Sequence, residues 1–364
     1  MHRSLLHPVD WFSSSRYLLL ISGSQHSKQL RTLRDAGTMA VFPHGICASM
    51  SSTPASLAFV FPGQGSQSIG MLAELAAVHP EVRATFEEAS QGAGLDLWNL
   101  ASQGPEEQLN RTENTQPALL AASVAVWRVW QKLGGAKPAQ LSGHSLGEYS
   151  ALVCAGALSL HDAASLVAER GRLMQAVVPA GVGAMAAILG GDDAQIAAVC
   201  EEVAQGQVVA PANFNSPGQL VIAGNAEAVD RALARLAELG VKKAIKLAVS
   251  VPSHCALMRD AADRLGERMA SIAWQLPSIP VVQNAEARSY GVIDDIRFAL
   301  QRQLYLPVRW TECVQALAGA GASRIVECGP GKVLTGLIKR IDKTIEARAV
   351  GMPADIDAAV AEWV

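Results

Sequence analysis

From residue 56 onward, apolar and polar positions alternate between two rhythms. Short apolar runs such as "LAFVF" (57–61) predict buried strands, and stretches with apolar residues three and four apart predict helices. The spacing predicts helices over about 70–79, 80–90 and 116–133. The last of these takes Asn114 or Thr115 as its cap, Pro117 in its first turn, and Gly134 and Gly135 at its end. "AQLS" (139–142), "PVV" (280–282) and "RIVE" (324–327) read as further short strands. Short buried strands alternating with helices predict a parallel sheet covered on both faces.

Residues 181–250 break that rhythm. Strand, helix, strand, strand, helix and strand follow one another, ending in "VKKAIKLAV". The order βαββαβ is the ferredoxin-like pattern. The parallel-sheet pattern resumes near Val251, so a small unit is inserted in a larger one, and the junction is a natural cleft. The expected division is an N-terminal extension at 1–55, a large subdomain at 56–180 and 251–345, a small subdomain at 181–250, and a C-terminal segment at 346–364.

Composition sharpens this picture. Half the chain is hydrophobic and 17% is charged, against roughly 25% charged in an average globular protein, so a sizeable core is expected. A net charge of -3 without a basic block gives no reason to expect a nucleic-acid partner. No apolar run approaches the roughly 18 residues of a membrane span, and no membrane association is expected. Cys47, Cys154, Cys200, Cys255, Cys313 and Cys328 show no C-x-x-C spacing, which predicts a reducing compartment with neither zinc site nor disulfide frame. The first 49 residues carry eight serines, five basic residues and two acids, without periodicity. Two readings fit: a transit peptide, or an upstream start with translation from Met50. The absence of a good amphipathic helix favours the second.

The candidate chemistry begins at Gly143, Ser145 and Gly147, a G-x-S-x-G between a strand and a helix. That context makes a nucleophile elbow, lifting the serine to a helix N-terminus where backbone N–H groups favour a developing oxyanion. A plain tight turn is the alternative. A serine needs a base, and outside the extension the histidines are His79, His144, His161 and His254. His79 and His161 are expected at the surface, and His144 is expected to point away from its neighbour. His254 follows Pro252, with Ser253 placed to cap a new helix, so it should sit in a first helical turn whose dipole keeps the imidazole neutral. It is the candidate base, a surface capping histidine being the other reading.

Arg170 falls on the apolar stripe of a helix over about 160–178, among Ala163, Leu166, Val167, Leu173, Met174 and Val177. A buried cation without an anion costs several kcal/mol or more. Its partner is either an internal acid or a substrate carboxylate held bidentately, and the pattern leaves both open. Two phosphate-loop look-alikes fail. "GQGSQS" has Ser68 where a dinucleotide loop needs glycine, and "VECGPGKV" has Val326 and Val333 where a P-loop needs Gly and Ser/Thr.

Together "FVFPGQGSQ", "GHSLGEYSALVCAG", "AERGRLMQ", "NFNSPGQLVIAG", "VPSHCALM", "RQLYLPVRW" and "GPGKVLTGL" resemble the malonyl-CoA:acyl carrier protein transacylases of bacterial fatty-acid synthesis, in order and spacing, from about Leu57 to the C-terminus. The resemblance implies an α/β-hydrolase-like large subdomain with a ferredoxin-like insert. It implies Ser145 as nucleophile, His254 as base, the main-chain carbonyl of Gln303 orienting that histidine, the backbone N–H groups of Gln64 and Leu146 as oxyanion hole, and Arg170 as clamp for the malonyl carboxylate. It implies malonyl-CoA and acyl carrier protein as substrates, no resident cofactor or metal, and a cytoplasmic monomer, or an organellar enzyme if the extension is a transit peptide. An acidic carrier would call for a basic patch, for which Lys242, Lys243, Lys332, Lys339 and Arg340 are candidates. A serine hydrolase or thioesterase, an idle carrier-binding module and an acyltransferase unit of polyketide synthesis are the competing readings.

Overall fold

The apolar run at 57–61 becomes strand β1 (Ser56–Phe61), and its alternation decides what lies on each side of the central sheet. Leu57, Phe59 and Phe61 join one core and Ala58 and Val60 another, as the period of two requires. The computed structural model describes residues 56–179, 181–247 and 251–363; the expected extension, with Met50, lies outside the described residues.

The remaining described strands are β2 (Gln140–Gly143), β3 (Gly183–Leu189), β4 (Val209–Ser216), β5 (Gln219–Asn225), β6 (Lys243–Lys246), β7 (Val281–Val282), β8 (Ala322–Glu327) and β9 (Glu346–Ala349). One sheet has the order β7-β2-β1-β8-β9, with every pairing parallel. The other is antiparallel in the order β4-β5-β3-β6. Its helices Asp193–Val203 and Ala226–Glu238 bury a core of their own against it. The mixed α/β architecture expected from periodicity is therefore present. The insert is stitched to the large sheet's side at Val308, which accepts from Phe214 N–H at 2.9 Å and donates to Ala212 C=O at 2.8 Å.

Helix Thr112–Lys132 supplies much of the main core, with Trp127 and Trp130 edge-on to Phe59 at ring centroid distances of 5.3 and 5.0 Å. It begins four residues before the expected position. The Arg111 carbonyl already accepts from the N–H groups of Asn114 and Thr115 at 2.8 Å each, so Pro117 lies inside the helix rather than in its first turn. Helix Leu160–Val177 starts as expected, with Ser159 accepting from Asp162 N–H. The C-terminal segment does more than its sequence indicates. It adds β9 to the edge of the parallel sheet and closes with helix Pro353–Trp363. Among the described residues no helix is long and apolar enough to cross a membrane, and the five described cysteines are free thiols.

Candidate active site

β2 ends at Gly143 and helix Gly147–Cys154 begins four residues later. Between them Ser145 takes a left-handed backbone, φ 52°, a conformation that costs a non-glycine residue of order 1–3 kcal/mol. The flanking glycines make room for so tight a corner. A Cβ on Gly143 would stand 1.9 Å from the Gly147 carbonyl carbon, and one on Gly147 would stand 2.0 Å from the Phe61 carbonyl oxygen. Asn284 pins the corner from outside, accepting from Ser145 N–H at 2.8 Å and donating to Gly143 C=O at 2.8 Å.

His254 faces this serine, but not from a helix. The predicted cap at Ser253 does not form. The chain turns through His254 with φ 63° into a short 3-10 turn, Ala256–Met258, and the α-helix starts only at Arg259. The ring is fixed at both ends: Nε2 is 2.8 Å from Ser145 Oγ and Nδ1 is 2.7 Å from the Gln303 carbonyl. A carbonyl oxygen only accepts, so Nδ1 carries the proton and Nε2 presents its lone pair to the hydroxyl. Burial and the Arg170 cation push the His254 pKa down to about 3. The neutral ring expected from a helix dipole thus arises from desolvation and a neighbouring charge.

Arg170 is 2% exposed. Among the described residues no carboxylate forms an ion pair with it. Nη1 donates to Gln116 Oε1 at 2.8 Å, and Nη2 donates to Ser145 Oγ at 3.2 Å and to Gln303 Oε1 at 3.1 Å. Its Nε has no hydrogen-bond partner, and the Tyr149 ring lies 5.6 Å from its guanidinium carbon. Desolvation holds its pKa below the usual value, opposed by Tyr149 and Glu148. Of the two partners left open by the sequence, an internal acid in contact is absent among the described residues.

A carboxylate lies close to the site without touching the histidine. Glu148, inside the elbow motif itself, is fully buried and accepts from Asn284 N–H and from Gln283 Nε2. Burial raises its pKa to about 7, against the pull of those donors and of Arg170. Gln303 contributes its side chain as well as its carbonyl, with Nε2 donating to Ser145 C=O at 2.9 Å. Sequence reasoning missed Gln116, Glu148, Gln283 and Asn284. The one available signal was a polar pair, "QN", at the carboxyl end of the apolar "PVV".

His144 turns from the serine hydroxyl as expected; its Nε2 lies 2.8 Å from Asn215 Oδ1 and its ring packs against Trp310. His161 is exposed, whereas His79 is half-buried rather than at the surface. The backbone N–H groups of Gln64 and Leu146 have no acceptor among the described residues. Both residues line a cavity of about 130 Å³ together with Ser145, His254 and Arg170. A hydroxyl, a neutral base, two free N–H donors and an unneutralised cation therefore converge on one small space. Lys242, Lys243, Lys332, Lys339 and Arg340 are all exposed. Arg340 donates to Gln219 at 2.6 Å, and Gln219 and Lys243 flank Leu189 of β3 on its two sides, so basic residues of both parts lie at the same end of the insert's sheet. Among the described residues no group of three or more His, Cys, Asp or Glu could hold a metal ion.

The model of the acyl transferase domain family matches residues 58–356. The malonyl CoA-acyl carrier protein transacylase of Salmonella typhimurium is 58% identical over 305 residues, which is 84% of this chain and 99% of that protein. Among solved structures, the malonyl-CoA:acyl carrier protein transacylase of Xanthomonas oryzae pv. oryzae superposes with a TM-score of 0.85 at 66% identity, covering 86% of this chain and 99% of that one. The complex of a type II PKS acyl carrier protein with its malonyl-transacylase gives a TM-score of 0.83 at 55% identity, covering 84% and 99%.

Proposed function

The chain belongs to the acyl transferase domain family, and from that premise we propose that it moves the malonyl group of malonyl-CoA to the pantetheine thiol of acyl carrier protein through a malonyl ester on Ser145. The observation that carries this reading is the Arg170 guanidinium, buried, without an acidic contact among the described residues, and within 3.2 Å of Ser145 Oγ. A substrate carboxylate is the anion that such a cation calls for.

In this mechanism His254 Nε2 takes the Ser145 proton as Oγ attacks the thioester carbon. The oxyanion is held by the N–H groups of Gln64 and Leu146, and the Gln303 carbonyl steadies the imidazolium through Nδ1. His254 then returns the proton to the CoA sulfur as the carbon–sulfur bond breaks. The carrier's thiol repeats the sequence in reverse, giving its proton to the same nitrogen and freeing Ser145. No resident cofactor takes part.

The carrier docks, in this proposal, along the exposed basic residues from Lys332 to Arg340 and at Lys242 and Lys243. Support comes from the neighbourhood of Gly331 and Ser66, beside the Gln64 loop, and from the meeting of Arg340 with the insert. The division into a large subdomain at 56–180 and 251–345 around a small one at 181–250 is supported by the two separate sheets. We place the reaction in the cytoplasm on a monomer, in keeping with the free thiols.

Incubation with malonyl-CoA tests the reading by mass. The intact chain gains one malonyl group, loses it on addition of the pantetheinylated carrier, and shows no gain when Ser145→Ala is used. Persistent labelling of Ser145→Ala, or release of free malonate without transfer, overturns it.

A further inference from the structure

Glu148 sits one turn behind Ser145, in helix Gly147–Cys154, and is fully buried. Neither of its oxygens meets a cation within ion-pair distance among the described residues. Both meet N–H donors of one corner, the backbone of Asn284 and the side chain of Gln283. The same Asn284 side chain holds Ser145 N–H and Gly143 C=O. The chain of contacts runs from Glu148 through Asn284 to the strained turn that aims the nucleophile.

We infer that Glu148 is a positioning residue for the acyl transfer proposed above: its two oxygens fix the corner of Gln283 and Asn284, and through Asn284 they hold the Ser145 elbow in its reactive geometry. A carboxylate suits this place because it offers two acceptors and no donor. A glutamine offers one acceptor and one NH2, and the NH2 would face a donor already present, breaking one of the two bonds. A protonated Glu148 has the same defect. The ionisable groups facing Glu148 are Arg170 from helix Leu160–Val177, Tyr149 on its own helix, and Cys313 from helix Trp310–Gly319. Arg170 remains a cation, burial raises Tyr149 to about 12 and Cys313 above its usual value, and His254 titrates near 3. None of them changes charge near neutrality, where Glu148 does.

The test is the single-turnover rate of Ser145 acylation by the malonyl thioester of N-acetylcysteamine, a donor without a titrating phosphate. It is read by mass at saturating thioester from pH 5.5 to 8.5. The wild-type rate is expected to rise severalfold through about pH 7. Glu148→Gln is expected to be slower by about 10- to 100-fold at pH 8, the loss of one buried charged hydrogen bond, and to show no such rise. A folded Glu148→Gln with a lower Tm but the wild-type rate and pH profile would make Glu148 merely structural and overturn the inference. A wild-type rate that is flat from pH 6 to 8 overturns it whether or not the variant folds. Failure of wild type to label at Ser145 sinks the malonyl reading and this inference with it, whereas normal labelling with an unaltered variant sinks this inference alone.

Discussion

Arg170 Nη2 donates a hydrogen bond to Ser145 Oγ across 3.2 Å, while the same oxygen lies 2.8 Å from the unprotonated nitrogen of His254. The serine hydroxyl therefore accepts from a cation and donates to a neutral base. Two consequences follow from that short distance. The cation stabilises negative charge as it develops on Oγ, and any acid group it binds must end within a few ångströms of the attacked carbon, which fits a three-carbon diacid.

The first prediction tests the second consequence. Arg170→Ala is expected to reduce Ser145 acylation by malonyl-CoA by about 2–5 kcal/mol of transition-state stabilisation, the usual cost of removing one side of a desolvated charge pair. Acetyl-CoA has no carboxylate to lose, so acetyl labelling should fall far less. Rates of acyl-enzyme formation with the two donors, measured by mass, provide the comparison. Equal losses would show that Arg170 serves the fold or the hydroxyl and not the substrate.

A second prediction concerns pH and stability. The His254 pKa is about 3 in the folded protein and 6.5 by its ordinary value. Between those values the unfolded chain holds a proton that the native state does not, so stability falls as pH drops from 6.5 towards 3, by at most about 1.4 kcal/mol per pH unit. Above 6.5 this contribution is complete. His254→Ala should lack this component, so that the stability gap between wild type and variant narrows as the solution is acidified. Urea unfolding at pH 7.5, 6 and 5 measures it, and a gap that widens on acidification contradicts the assignment of a neutral buried ring.

How much of this was legible in the sequence depends on the range of the interaction concerned. The strands and the insert were readable because burial imposes a period along each of them, as at Phe59 and Val60 on opposite faces of β1. Ser145 and Arg170 were readable because each breaks a local rule, a hydroxyl in a glycine corner and a cation in an apolar stripe. Asn284 and Gln116 break none. Their roles come from partners 139 and 54 residues away, and no periodicity encodes a contact at such separation. Glu148 occupies the first turn of its helix, where an acid is ordinary, and its role comes from the corner at 283–284, 135 and 136 residues away. β9 escaped because four residues at a sheet edge, two of them charged, carry too little alternation to recognise.

The elbow gives a third prediction. Gly147→Ala places a methyl group 2.0 Å from the backbone oxygen of Phe61, which belongs to the central strand and cannot rotate away. The helix must lift off β1 or the strand must shift, so the loss should exceed about 4 kcal/mol. Low soluble yield or a large fall in Tm is expected. A stable Gly147→Ala with normal acylation would mean that helix Gly147–Cys154 does not pack as closely as described.

The last prediction separates the hydrogen bonds of Asn284 from the effect of a charge placed in its corner. Asn284→Ala leaves the Ser145 N–H and the Gly143 C=O without their partner, and each unpaired buried group costs about 1–3 kcal/mol. Stability and acylation rate should therefore fall together, because the groups left unpaired are those that keep Ser145 at φ 52°. Asn284→Asp keeps an acceptor for Ser145 N–H but, when ionised, has no donor for Gly143 C=O, and it brings a second buried carboxyl beside Glu148. Burial and the like charge push the new carboxyl's pKa up, so its neutral form is favoured in the folded state. A raised folded pKa means stability that is present at low pH and lost as pH rises. Asn284→Asp is thus expected to be more stable at pH 5 than at pH 8, with acylation declining in the same direction, whereas Asn284→Ala is equally impaired at both. Thermal unfolding and acyl-enzyme formation at the two pH values decide it. An Asn284→Asp protein that gains stability with rising pH would place Glu148 too far from the elbow to act on it.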